Sequence, residues 1–141
     1  MAAGADDEQF ARDFFAAMGP TLDDFKRNYR ERMAEDVVWE TVGLPAHRGR
    51  DACLAYLDNL HARTGMTYCT IEILNLASVD HVVLTERVDS MYRADGTKIM
   101  EFRLMGALEL LNGLIVRYTD YLDTAPLAAG MTDVAAPAVR P

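Results

Sequence analysis

Arg87 and Asp89 stand two residues apart in the run Thr85-Glu86-Arg87-Val88-Asp89, and a second carboxylate, Asp120, follows in Tyr118-Thr119-Asp120-Tyr121-Leu122-Asp123. On a β-strand, side chains at i and i+2 point to the same face. Arg87 and Asp89 would therefore share a face with Val83 and Met91, and Asp120 would share one with Val116, Tyr118 and Leu122. A charge among apolar neighbours is costly unless it is paired and hydrogen-bonded. Two carboxylates that share one guanidinium inside an apolar cup point to acid–base chemistry. Burial and the second carboxylate push a carboxyl pKa up and the guanidinium pulls it down, so the pair should titrate as one coupled unit.

The elements that must hold these groups follow from periodicity. Phe10, Phe14 and Met18 recur at helical spacing up to Gly19-Pro20. Thr21 can cap a second helix whose apolar side is Leu22, Phe25, Tyr29 and Met33. Val37, Trp39 and Thr41 alternate in a short strand that stops near Gly43 and Pro45, and Asp51 to His61 reads as a third helix with Cys53, Leu57 and Leu60 inward. The period then becomes two: 67–76, 82–92, 98–110 and 114–122 read as strands. Asp95-Gly96 and Asn112-Gly113 are hairpin turns because they tolerate positive φ, which makes the last three strands an antiparallel meander. Helices first and strands afterwards predict an α+β domain, a cone in which N-terminal helices pack on a curved, mostly antiparallel sheet around an apolar mouth. The expected division is one domain over 1–124 and an Ala/Pro-rich tail over 125–141, mobile or lying over the mouth as a flap.

Composition narrows the class. The chain of 141 residues suits a single core, and with half of its residues hydrophobic it is globular rather than disordered. A net charge of −8 argues against nucleic acid and anionic membranes as partners. No run approaches a membrane span, and the acidic start is unlike a signal peptide, so a cytoplasmic protein is expected. Cys53 and Cys69 offer neither a disulfide framework nor metal spacing, and His47, His61 and His81 read as surface or loop residues. No metal or cofactor is expected.

The order of elements and the two acidic motifs resemble the limonene-1,2-epoxide hydrolase family, within the wider SnoaL-like and nuclear-transport-factor-2-like group of cones. The likeness runs from about Leu22 to Asp123 and includes Ala34-Glu35-Asp36, Leu44-Pro45 and Gly49-Arg50-Asp51-Ala52. The cone alone says little about function; the Arg-x-Asp strand with a later aspartate is more specific. The resemblance implies one-step opening of a small or medium apolar epoxide to a vicinal diol. Asp89 would be the general acid, Asp120 the general base that activates water, and Arg87 the group that holds both. It further implies a homodimer, and a pocket lined by Met91, Phe102, Leu104 and Leu122. The family grips the water with a tyrosine and an asparagine from the first strand; here Trp39 and Thr41 take those positions. An indole N–H only donates, and a threonine hydroxyl reaches less far than an amide. Three readings follow: an epoxide hydrolase, an epoxide-opening or polyketide-type cyclase or isomerase whose nucleophile is a substrate hydroxyl, and a non-catalytic small-molecule-binding domain. Tyr118, on the Asp120 face, reads first as a packing residue.

Overall fold

The computed structural model describes residues 2–126. The tail expected over 125–141 lies outside the described residues from 127 onward. Helix α1 spans Ala2–Ala16, α2 Leu22–Arg32 and α3 Arg50–Thr64; strands β1 (Met33–Thr41), β2 (His47–Arg48), β3 (Met66–Val79), β4 (Val82–Arg93), β5 (Lys98–Leu111) and β6 (Leu114–Tyr121) complete the fold. They form one six-stranded sheet in the order β2-β1-β6-β5-β4-β3, in which β1 and β6 run parallel and every other pair antiparallel. Helix α1 packs on β3 and β4, and α3 on β1, so the helices cover one face of the curved sheet. This is the expected α+β cone.

Local chemistry explains the boundaries. Thr21 opens α2 with a capping box: its hydroxyl accepts from the Asp24 amide at 3.0 Å, and its own amide donates to the Asp24 carboxylate at 3.3 Å. Met33, expected on the helix, is instead the first residue of β1, fully buried and opposite Ile115. Its spacing from Tyr29 fits a helix, but the backbone turns extended there and no loop intervenes. Asn28 is buried beneath, its amide donating to the Phe14 carbonyl at 2.9 Å and so holding α2 to the end of α1.

Two features of the sheet depart from the sequence reading. The meander has a third hairpin, between β3 and β4, at Asp80-His81, where both residues take positive φ (50° and 65°) without a glycine. His81 is held there by Asp7 of α1 at 2.8 Å. On β6, the pairs Glu109↔Arg117 and Leu110↔Ile115 leave Val116 as an extra residue, a bulge. The bulge puts Ile115, not Val116, in the core with Tyr118. The alternation expected from Val116 to Asp120 thus starts only after the bulge. Within the core, Phe14, Phe15, Tyr29, Leu57, Leu108 and Ile115 fill the space between helices and sheet.

Candidate active site

Strand register brings the separated acids together. β4, β5 and β6 are consecutive neighbours in the sheet. Across them, Asp89 pairs with Phe102, Arg87 with Leu104 and Thr85 with Gly106, and Gly106 pairs in turn with Asp120. Arg87 reaches along this face. Its Nε donates to Asp89 Oδ1 at 3.1 Å and its Nη2 to Asp89 Oδ2 at 2.9 Å, a two-pronged contact. The same Nη2 donates to Asp120 Oδ1 at 3.1 Å, and Nη1 donates to the Thr85 hydroxyl at 2.9 Å. Arg87 is 1% exposed and Asp120 6%, while Asp89 faces the cavity.

Three residues that the sequence reading left out make this geometry possible. Gly106 keeps ordinary strand backbone, so its glycine is not there for a turn. A Cβ at this position would lie 2.9 Å from Arg87 Nη1 and 2.9 Å from the Thr119 carbonyl, and would collide with Asp120 Oδ1. The guanidinium and the Asp120 carboxylate meet in the volume that a side chain would fill. Phe15 of α1 covers the flat face of the guanidinium, with its ring centroid 4.3 Å from Cζ, and Thr85 takes the N–H group turned away from the acids. A mid-strand Gly beside a charged strand is the signal that could have revealed the first of these.

The electrostatics of the cluster divide unevenly. Burial works against the Arg87 charge, but Asp120, Tyr118 and Asp89 outweigh it and move its pKa up, so the cation persists. For Asp120, burial dominates: it pushes the carboxyl up to about 6, with the pull of Arg87 opposing and the Asp89 charge assisting. One cation against two acids leaves an excess negative charge in a poorly hydrated place, and a retained proton relieves it.

The cluster sits at the floor of a cavity of about 470 Å³. Met91, Phe102, Leu104 and Leu122 line it as expected, and so do Trp39 and Thr41. Thr41 pairs with Asp120 across the parallel β1–β6 ladder, and Trp39 pairs with Tyr118. The Trp39 indole lies flat on the Tyr118 ring, at 5.5 Å and 9°, and meets Tyr29 and Tyr56 edge-on. His47, expected on the surface, forms part of the wall on β2, stacked on Tyr56 at 4.0 Å. Its pKa is lowered by burial, which keeps the ring neutral near pH 7. Asp123, just beyond β6, accepts from the Ala125 amide at 3.1 Å.

A curved-sheet cone with an acid–guanidinium–acid cluster on its floor places the molecule among the SnoaL-like and nuclear-transport-factor-2-like domains. Within that class the chain belongs to the limonene-1,2-epoxide hydrolase family, whose catalytic-domain model matches residues 6–132. It is 27% identical over 99 residues to the epoxide hydrolase EphG of Mycobacterium tuberculosis, a match covering 70% of this chain and 63% of that protein. The chain thus spans less than two thirds of the length of that relative. Among solved structures, an M. tuberculosis epoxide hydrolase of the same type superposes with a TM-score of 0.69 at 20% identity, covering 94% of this chain and 89% of that one. A candidate SnoaL-like polyketide cyclase from Jannaschia sp. CCS1 superposes with a TM-score of 0.71 at 15% identity, covering 96% and 95%. At such identities the two structures show the shared fold.

Two outcomes are expected from this geometry. Gly106→Ala should destabilise the protein by about 1–3 kcal/mol in urea unfolding, although alanine suits a strand interior better, because the site has no room for the methyl group. Asp120 titrates near 6 when folded and near 3.8 when unfolded. Its contribution to stability is therefore complete below about 3.8 and lost as pH rises through about 6. Asp120→Asn should remove that loss. Relative to the parent, the variant should gain about 3 kcal/mol in unfolding free energy between pH 3.5 and pH 7.5.

Proposed function

We propose that this protein is a cofactor-independent epoxide hydrolase that opens a small or medium apolar epoxide to a vicinal diol in one step. The observation that carries this reading is the Arg87 guanidinium, 1% exposed, bonded to both Asp89 and Asp120 at the floor of an apolar cavity. Family membership supports the class of chemistry. In the reading, Asp120 takes a proton from a water molecule as the water oxygen bonds to one epoxide carbon. The carbon–oxygen bond to that carbon breaks, and Asp89 gives its proton to the departing oxygen. Neither a free hydroxide nor a free alkoxide forms, and each positioned transfer is worth ~10²–10⁴-fold. The cycle closes when the proton gained by Asp120 returns to Asp89. Arg87 keeps both acids in place throughout and remains charged.

The reactive arrangement carries one proton on the acid pair, placed on Asp89. Burial, with the Asp89 charge assisting, raises the Asp120 carboxyl to about 6, so the base is ionised only above that pH. At low pH Asp120 holds a proton of its own, and the base is lost.

A second reading keeps the acids and replaces water with a hydroxyl of the substrate, giving a cyclised product. It is favoured by Trp39, which brings a donor-only indole to the cavity wall opposite Tyr118, one strand step from the Thr41–Asp120 pair.

Incubation with terpene and cyclic epoxides in ¹⁸O-labelled water tests the two readings. Hydrolysis puts one labelled oxygen into a diol, and cyclisation of a hydroxy-epoxide takes up none. Absence of any turnover across the panel would contradict both. Asp89→Asn and Asp120→Asn should each lower kcat by ~10²-fold or more, and Arg87→Ala by at least as much, because it leaves two close acids unneutralised. The kcat/KM profile should be a bell from one acid and one base, and ionisation of the base Asp120 should put the midpoint of its acid limb near 6.

A further inference from the structure

Four polar groups around the cluster make no hydrogen bond among the described residues: the second oxygen of Asp120, and the side-chain polar atoms of Thr41, Trp39 and Tyr118. All four residues line the one cavity. Asp120 and Tyr118 are buried, Thr41 and Trp39 half-buried; buried polar groups are nearly always satisfied, so two free ones facing a space large enough for water mark a place where a small polar molecule sits. Tyr118 stands out among them. It is 3% exposed, and it lies two residues before Asp120 on the same strand, beyond the bulge that fixes the alternation of this face. Its ring is clamped between the flat indole of Trp39 and the edges of Phe14 (5.5 Å, 82°) and Phe15 (6.1 Å, 69°), so its hydroxyl is aimed by packing alone.

We propose that the Tyr118 hydroxyl is a water-positioning group, donating a hydrogen bond to the nucleophilic water that Asp120 deprotonates. The inference rests on the hydrolase reading and adds a residue to its site. The water would give one hydrogen to the free oxygen of Asp120 and the other to the Thr41 hydroxyl. One lone pair would accept from Tyr118, leaving the other pointed at the epoxide carbon. The inventory closes: Asp120 accepts, Thr41 accepts, Tyr118 donates. Trp39 acts here as the plate that holds the phenol ring. Burial first, and then the Asp120 charge, raise the Tyr118 pKa well above the ordinary phenol value, so the group stays a donor. Phe15 ties the phenol and the guanidinium together, since its ring touches both. The other buried phenol of the cavity, Tyr29, comes from α2 and meets Trp39 edge-on rather than sharing a strand face with Asp120.

Tyr118→Phe keeps the ring and removes only the hydroxyl. The expected result is a kcat lowered by ~10–100-fold with KM within about threefold, and no loss of thermal stability. A merely structural tyrosine would not affect which carbon the water attacks. Hydrolysis of an unsymmetrical epoxide in ¹⁸O-water should therefore show the label redistributed between the two diol carbons in the variant. A high-resolution crystal structure supplies a readout that needs no substrate: an ordered water within hydrogen-bond distance of both Tyr118 Oη and Asp120, absent in Tyr118→Phe. Unchanged kcat and unchanged label position would overturn the inference while leaving the hydrolase reading intact. If the parent opens no epoxide but the bridging water is present, the reading fails and the water seat stands. If the bridging water is missing from the parent, the seat fails.

Discussion

A guanidinium cannot shed its charge at any pH a folded protein survives, so burying Arg87 commits everything around it. Each feature of the surrounding sheet answers that constraint. Asp89 supplies a two-pronged partner from the same strand face, and Asp120 supplies a second acid from two strands away. Thr85 satisfies the N–H that points away from both. Phe15 covers the flat face of the cation, where no hydrogen bond can form. Burial, with the Asp89 charge assisting against the pull of Arg87, lifts Asp120 to about 6. A group that retains a proton so far above the usual carboxylate range is suited to moving one.

The wider fold serves the same interaction. The parallel β1–β6 pair sets Thr41 beside Asp120 and Trp39 beside Tyr118, so the wall of the cavity is registered to its floor. The bulge at Val116 adjusts which β6 side chains face inward before the chain reaches Tyr118 and Asp120. The missing side chain at Gly106 is the space in which Asp120 and Arg87 meet. Helix α1 contributes the covering Phe15 and is held to α2 by buried Asn28. The outer face of the sheet, by contrast, leaves Leu84, Met105 and Tyr121 exposed and takes no part in the site.

Much of this was legible in the sequence because a period of two fixes side-chain direction over each uninterrupted strand. Arg87, Asp89 and Met91 fall on one face for that reason, and Gly-containing turns disclosed two of the three meander hairpins. The third escaped because Asp80-His81 reaches positive φ without glycine, its conformation supported by the contact with Asp7, far away in sequence. Val116 was misplaced because a bulge breaks the alternation and leaves no local mark. Met33 was misplaced because helix and strand join without a loop, so the helical period runs one residue too far. Phe15, Thr85 and Gly106 were invisible as site residues for a common reason: their roles are defined by contacts across elements, and apolar, hydroxyl and glycine side chains carry no chemical signature of their own. Tyr118 read as packing, and its ring does pack; only the free hydroxyl over the cavity reveals a further use.

The central claim is that burial beside one shared guanidinium leaves Asp120 holding a proton to about pH 6. Carbon-13 labelling of the aspartate carboxyl groups and NMR titration between pH 3 and pH 9 measures this directly. The account predicts one carboxyl resonance, assigned to Asp120 by its loss in Asp120→Asn, with a midpoint near 6. An Asp120 carboxyl that titrates at the ordinary value near 3.8 would contradict it.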